Sequence, residues 1–160
     1  MRKGLNETYL NRCDDYSTQK EAFDLLLKYI NLRKDDKVWF PFYNEGLINQ
    51  YEFPFQIIHN NSDFFETKIE YDYLIDNPPF SIKEKVIRRC VDLGKPFCLL
   101  LPIDSLERQY ISTLFKDKDL TIIIPKKRWK FINNNSKVTM PFKSCFFCIG
   151  FGLDKQIIFE

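Results

Sequence analysis

The sequence has a single histidine, His59, and no apolar run approaching the ~18 residues that a membrane-spanning helix needs. It also lacks a second cysteine pair. Cys145-Phe146-Phe147-Cys148 has the spacing of half a zinc ribbon, but nothing completes the set and His59 is far away in sequence. On a strand, residues three apart point to opposite faces, so these two thiols read as core and no metal site is expected. The five cysteines (Cys13, Cys90, Cys98, Cys145, Cys148) are odd in number and scattered, and no signal-peptide pattern opens the chain. Reduced thiols, no membrane and a cytoplasmic location are therefore expected. A marked excess of either charge is absent too: 24 basic residues against 22 acidic leave a formal +2, which predicts no strong partner from net charge alone. No internal repeat or low-complexity tract marks a second domain.

What is present is apolar and aromatic. Apolar residues make up 44% of 160 and aromatics 16%, with 16 Phe and 8 Tyr, which indicates a folded protein. The length fits one domain over 1–160, with 1–13 as a probable flexible arm interrupted by Gly4, Asn6 and Asn11, and leaves no room for a separate recognition domain. Thr18 and Glu21 form a capping box ahead of Ala22, Phe23, Leu26, Tyr29 and Ile30 at helical spacing, predicting a helix over 18–32. Strands are expected near 38–41, 55–59, 72–76, 97–101, 120–124, 145–150 and 156–159. A short helix is expected over 47–53, and longer ones over 82–93, capped by Ser81 and ended by Gly94, and over 105–115. Phe97 to Leu101 is apolar throughout, the pattern of a parallel strand buried on both faces. This alternation predicts an α/β fold: a mostly parallel sheet with right-handed crossovers, closed by an antiparallel C-terminal hairpin of 144–150 and 156–159.

The segment that points to chemistry is Asp76-Asn77-Pro78-Pro79-Phe80, which ends the apolar run Tyr71 to Ile75. Two consecutive prolines have fixed φ and no N–H, and Pro78 drives Asn77 out of the α region. The turn therefore holds one shape with carbonyls exposed. Asn77 adds a side-chain acceptor and Phe80 a flat apolar face, a set suited to a planar ring carrying an amine. A surface turn between strand and helix is the bland alternative.

Asn77-Pro78-Pro79-Phe80 resembles the (Asp/Asn/Ser)-Pro-Pro-(Tyr/Phe/Trp) motif of amino-methyltransferases that use S-adenosylmethionine (SAM), the adenine-N6 group in particular. The resemblance implies a Rossmann-like class I methyltransferase sheet. It also implies that Asn77 and the Pro78 carbonyl accept hydrogen bonds from the target amine while Phe80 stacks on the base. Such acceptors matter because an aromatic amine's lone pair is delocalised and must be localised for in-line attack. Tyr16 and Thr18 match part of the family's Tyr-x-Thr-Pro segment near the cofactor's methionine end, with Gln19 in place of the proline; Thr18 as a simple helix cap is equally compatible. The family's glycine-rich cofactor loop, roughly Asp-Pro-x-x-Gly-x-Gly, aligns with Phe40 to Gly46. Pro41 and Gly46 match, Asn44 replaces a glycine, and Glu45 is expected to take over the lost carboxylate; small phage-type members share this Trp-x-Pro-Phe version, which would put the protein in a host's cytoplasm. The cofactor set implied is Tyr16, Thr18, Pro41, Phe42, Asn44, Glu45 and Gly46, with Asn60 toward a ribose and Asp63 and Phe64 around the cofactor's adenine. For Asp63 and Phe64, an N-cap followed by core aromatics is the competing reading.

Lys126-Lys127-Arg128-Trp129-Lys130 interleaves cations with an aromatic, followed by a loop at Asn133-Asn134-Asn135-Ser136 expected to be flexible. This suits a nucleic-acid backbone and an unstacked base; a basic strand edge kept against edge pairing is the alternative. The expected function is transfer of a methyl group from SAM to adenine N6 in nucleic acid, DNA before RNA, on a flipped or single-stranded base. Low selectivity, a homodimer or a recognition partner would follow from the missing recognition domain. Guanine N2 and a protein amide present the same planar NH2 group, though Phe80 and the basic segment favour a base. The rival class is a methyltransferase fold that has lost its cofactor and serves as a binding module for nucleic acid or protein.

Overall fold

The computed structural model describes residues 16–160. The arm expected at 1–13, with Cys13, lies outside them. In chain order the strands are β1 (Ser17–Thr18), β2 (Lys37–Trp39), β3 (Gln56–Ile58), β4 (Tyr73–Asp76), β5 (Phe97–Pro102), β6 (Leu120–Ile124), β7 (Lys130–Asn133), β8 (Ser136–Thr139), β9 (Ser144–Ile149) and β10 (Ile157–Phe159). The α-helices are α1 (Lys20–Leu26), α2 (Lys83–Leu93) and α3 (Gln109–Phe115); 3-10 segments cover Phe80–Ile82 and Ile103–Glu107, and Asn44–Gln50 is a kinked turn segment broken at Glu45 and Gly46.

Seven strands form one sheet in the order β3-β2-β4-β5-β9-β6-β10. The pairs β2–β3, β2–β4, β4–β5 and β6–β10 are parallel, and β9 runs antiparallel to both β5 and β6. This is the mixed, mostly parallel Rossmann-like α/β sheet the alternation predicts. β5 is buried along its whole length because both faces of the sheet are covered. Phe97, Leu99 and Leu101 join α2 and α3 residues Val86, Ile87, Cys90, Ile111 and Phe115 on one side. Cys98 and Leu100 meet Ala22, Phe23 and Leu26 of α1 on the other. Cys145 and Cys148 of β9 fall into these two opposite clusters, both buried, as their three-residue spacing on a strand requires.

Several expectations are corrected. The C-terminal hairpin does not form: β10 pairs in parallel with β6, while β9 is inserted between β5 and β6. Hydrophobic patterning reports burial and says nothing about which neighbour a strand takes. The first helix ends at Leu26, after which turns carry the chain to Tyr29, and its N-cap is Gln19 with no side-chain cap bond. Thr18 cannot cap it because Thr18 is in β1, paired with Phe131. Helix α2 starts at Lys83 with Ile82 at its N-cap, so the cap falls one residue after Ser81. The helix expected over 105–115 is split at Arg108, whose extended backbone ends a 3-10 turn before α3 begins. Asn133 to Ser136 is a tight turn joining β7 to β8, with Asn134 and Asn135 at φ of 47° and 61°. Asparagine tolerates that region, and two such residues in a row make the turn whose twist suits a hairpin. The hairpin and β1 form a second, three-stranded sheet, β1-β7-β8.

Candidate functional site

Three parallel strands, β2, β3 and β4, end on one side of the sheet, where ligands of such folds bind. β4 ends at Asp76, and Asn77 follows in the turn with Pro78 buried beside it. The Asn77 side-chain oxygen Oδ1 is buried and has no hydrogen-bond partner. A buried acceptor left unsatisfied costs about 1–3 kcal/mol unless something completes it. Asn77 lines a cavity of about 30 Å³ together with Tyr16, Thr18, Phe42, Tyr43 and Asp76. Thr18 contributes a second buried, unpartnered oxygen, Oγ1. Its backbone is fixed from two sides, by pairing with Phe131 and by the Tyr51 hydroxyl, which donates to the Thr18 carbonyl at 3.0 Å.

The loop after β2 takes its shape from side chains where glycines were expected. Asn44, Glu45 and Gly46 have φ of 36°, 61° and 73°, so three residues in a row are left-handed and only one is glycine. At Gly46 a Cβ would lie 2.7 Å from the Tyr43 hydroxyl oxygen, so this position needs glycine for space as well as for φ. His59, at the end of β3, is 4% exposed and sits behind the loop. Its Nδ1 lies 2.8 Å from the Phe40 carbonyl oxygen and its Nε2 3.1 Å from that of Tyr43. Its ring stacks on Tyr43 at 5.0 Å. From the other side, the Phe42 N–H donates to Asp76 Oδ2 at 2.7 Å. Asp76 Oδ1 accepts the N–H of Asn77 at 2.8 Å. One buried carboxylate thus joins the loop after β2 to the turn after β4. Burial pushes its pKa up to about 8 against an ordinary 3.8, with the two N–H bonds holding it down only in part.

Of the sequence-predicted residues, Tyr16, Thr18, Phe42, Asn44 and Asn77 line one cavity. Pro41 and Gly46 are buried in the loop framework around it. Glu45 is exposed and lines an adjoining polar cleft of about 650 Å³ that shares Ser17, Asn44 and Leu47 with this cavity and extends to Gln50 and the turn Asn133–Asn135. Glu45 is not among the residues lining the cavity at Asn77, whereas Asp76 is. Asn60 is exposed. Asp63 Oδ1 accepts the Phe65 N–H at 2.7 Å, an Asx turn, and Phe64 is buried against Trp39 and Phe42 with Arg89 over its ring. Phe64 is thus a core aromatic, but Asp63 caps no helix and Phe65 is exposed. Phe80 is 4% exposed and meets Phe142 edge-on at 5.7 Å, so its face is covered. Lys126, Lys127, Arg128 and Lys130 are exposed, while Trp129 packs on the core with a buried, unpartnered Nε1. Trp129 is thus a support of the basic segment and not its exposed stacking surface.

Sequence reasoning missed Asp76 and His59 as parts of this site. The signal for Asp76 was available: a carboxylate as the last residue of an apolar run, directly before the turn, is a buried charge in waiting. No group of three or more His, Cys, Asp or Glu suitable for a metal occurs among the described residues. No described helix is long and apolar enough to cross a membrane.

No family model and no curated protein matches the sequence. Among solved structures, precorrin-6y C5,15-methyltransferase from Geobacter metallireducens GS-15 aligns at 10% identity and a TM-score of 0.42, covering 85% of this chain and 94% of its own. A protein from Thermoplasma acidophilum described as a methyltransferase aligns at 10% identity and a TM-score of 0.41, covering 81% of this chain and 74% of its own. At these values neither protein's activity transfers to this chain.

Proposed function

We propose that this chain is a SAM-dependent methyltransferase acting on adenine N6 in nucleic acid, DNA before RNA. The observation that carries the reading is the Asn77 Oδ1: a buried, unpartnered acceptor held at the carboxyl end of β4 by the rigid Pro78-Pro79 turn. It is where an exocyclic amine's N–H would be received. Bound SAM would supply the methyl group. The chain's own residues orient the reactants: Asn77 and the Pro78 carbonyl accept from the amine and localise its lone pair. Thr18 Oγ1 and the Phe42–Asn44 loop border the place for the cofactor's methionine end. The donor and acceptor set fits that group, whereas the cavity has room for only about two water molecules. The exposed Lys126, Lys127, Arg128 and Lys130 suit a phosphate backbone.

A second reading, a fold of this kind that binds nucleic acid without transferring methyl groups, is favoured by the small cavity and by Glu45 lying outside it. Labelled SAM separates the two. Wild-type protein should label adenine-containing DNA or RNA, and Asn77→Ala should lose on the order of 10²–10³ in rate, the cost of one transition-state hydrogen bond, with its melting temperature retained. Undiminished labelling by a folded Asn77→Ala variant would refute the assignment. No labelling by the wild type, with no melting shift at high SAM, would favour the binding module.

A further inference from the structure

The Asp76 carboxylate is buried in the cavity wall, its two oxygens receive N–H bonds from Phe42 and Asn77, and no ion pair reaches it among the described residues. A buried carboxylate with no counter-charge among the described residues is costly to ionise, and its two N–H bonds offset only part of that cost. We infer that Asp76 is the anionic anchor for a cationic ligand centre in this cavity, protonated when the cavity is empty and ionised when the cation enters. On the methyltransferase reading above, that centre is the sulfonium. A methyl group delivered to an amine held by Asn77 must start beside Asn77, and Asp76 is its immediate neighbour. On entry the acid O–H bond breaks, its electron pair stays on the carboxylate and the proton leaves to solvent. The Asp76 carboxylate then balances the sulfonium charge.

Other titratable groups lie near Asp76. Tyr16 and Tyr43 line the cavity. Cys90, on α2, feels the Asp76 charge, and burial raises its thiol far above the working range. His59 faces the Phe40 and Tyr43 carbonyls.

Two measurements test the inference. Infrared difference spectra of unliganded wild type minus Asp76→Asn at pH 6.5 should show a protonated-carboxyl band. Calorimetry in two buffers of different ionisation enthalpy should show about one proton released per SAM bound, and none with S-adenosylhomocysteine, whose sulfur is neutral. If Asp76→Asn fails to fold, the wild-type comparison of the two ligands decides. A carboxylate already ionised without ligand overturns the inference. So does SAM binding without proton release, which leaves the methyltransferase reading intact. No binding of either compound refutes that reading and the inference together.

Discussion

Replacing Asp76 with asparagine tests how heavily the empty site weighs on the fold. With a folded value of about 8 against an ordinary 3.8, the native state keeps a proton that the unfolded chain has already lost across that window. The group therefore makes stability fall as pH rises from about 4 to about 8, and its effect levels off above 8. At about 1.4 kcal/mol per tenfold in proton activity, the loss between pH 5 and pH 8 approaches 4 kcal/mol, a sizeable share of the roughly 5–15 kcal/mol that holds a domain of this kind together. The thiols and phenols raised by burial, Cys90, Cys98, Cys145 and Tyr71, start from ordinary values of 9.0 or 10.0 and shape the curve only at higher pH. The assay is denaturant unfolding of wild type and Asp76→Asn at pH 5, 6.5 and 8 without ligand, with m-values compared to show that the transition is unchanged. The difference in stability between the two proteins should move in the variant's favour by several kcal/mol across that range. Two parallel pH profiles would refute the argument, because they would mean that Asp76 titrates alike in the folded and unfolded chain.

Gly46→Ala should cost about 1–2 kcal/mol from the left-handed backbone alone and displace the Tyr43 ring from His59; thermal melts with and without SAM would detect it, and a neutral outcome would mean that the loop relaxes freely. Phe80→Ala should destabilise by about 3–5 kcal/mol, as for a core aromatic, since the ring is packed on Phe142; an unfolding midpoint like the wild type's would mean that Phe80 is exposed in solution. Neutralising Lys126, Lys127 and Arg128 together should flatten the salt dependence of nucleic-acid binding by about one unit of slope per lost phosphate contact, and an unchanged slope in a titration over salt would assign these residues to protecting a strand edge.

The seven strands of the large sheet were legible because each is a short apolar run bounded by turn residues, as at Val38-Trp39, Ile57-Ile58 and Leu120 to Ile124. Their side-by-side order was not, since β9 shows the same apolar pattern whether it pairs with β10 or enters between β5 and β6. The hairpin of β7 and β8 was masked by its polar composition, although Asn134-Asn135 carried its turn signal. At the site, Asn77 was legible through the proline turn that holds it. Asp76 and His59 act through bonds to backbone groups 34 and 19 residues away, and such partners are fixed by tertiary packing that no local pattern encodes.

The insertion of β9 sets the timing of folding. Among the described residues, β6 has only β9 and β10 as partners, so β9 is the sole bridge between the four strands on the β5 side and the two on the other. A nascent chain that has reached Ile124 holds five of the seven strands yet cannot close the sheet, and the gap beside β5 stays open until Ser144 to Ile149 has emerged. Contacts this late in the chain make topology, more than local propensity, the brake on folding. A ribosome-stalled chain ending before residue 144 should expose the Leu99 and Leu101 edge of β5 to chaperones, and release of only a few dozen further residues should bury it in one cooperative step.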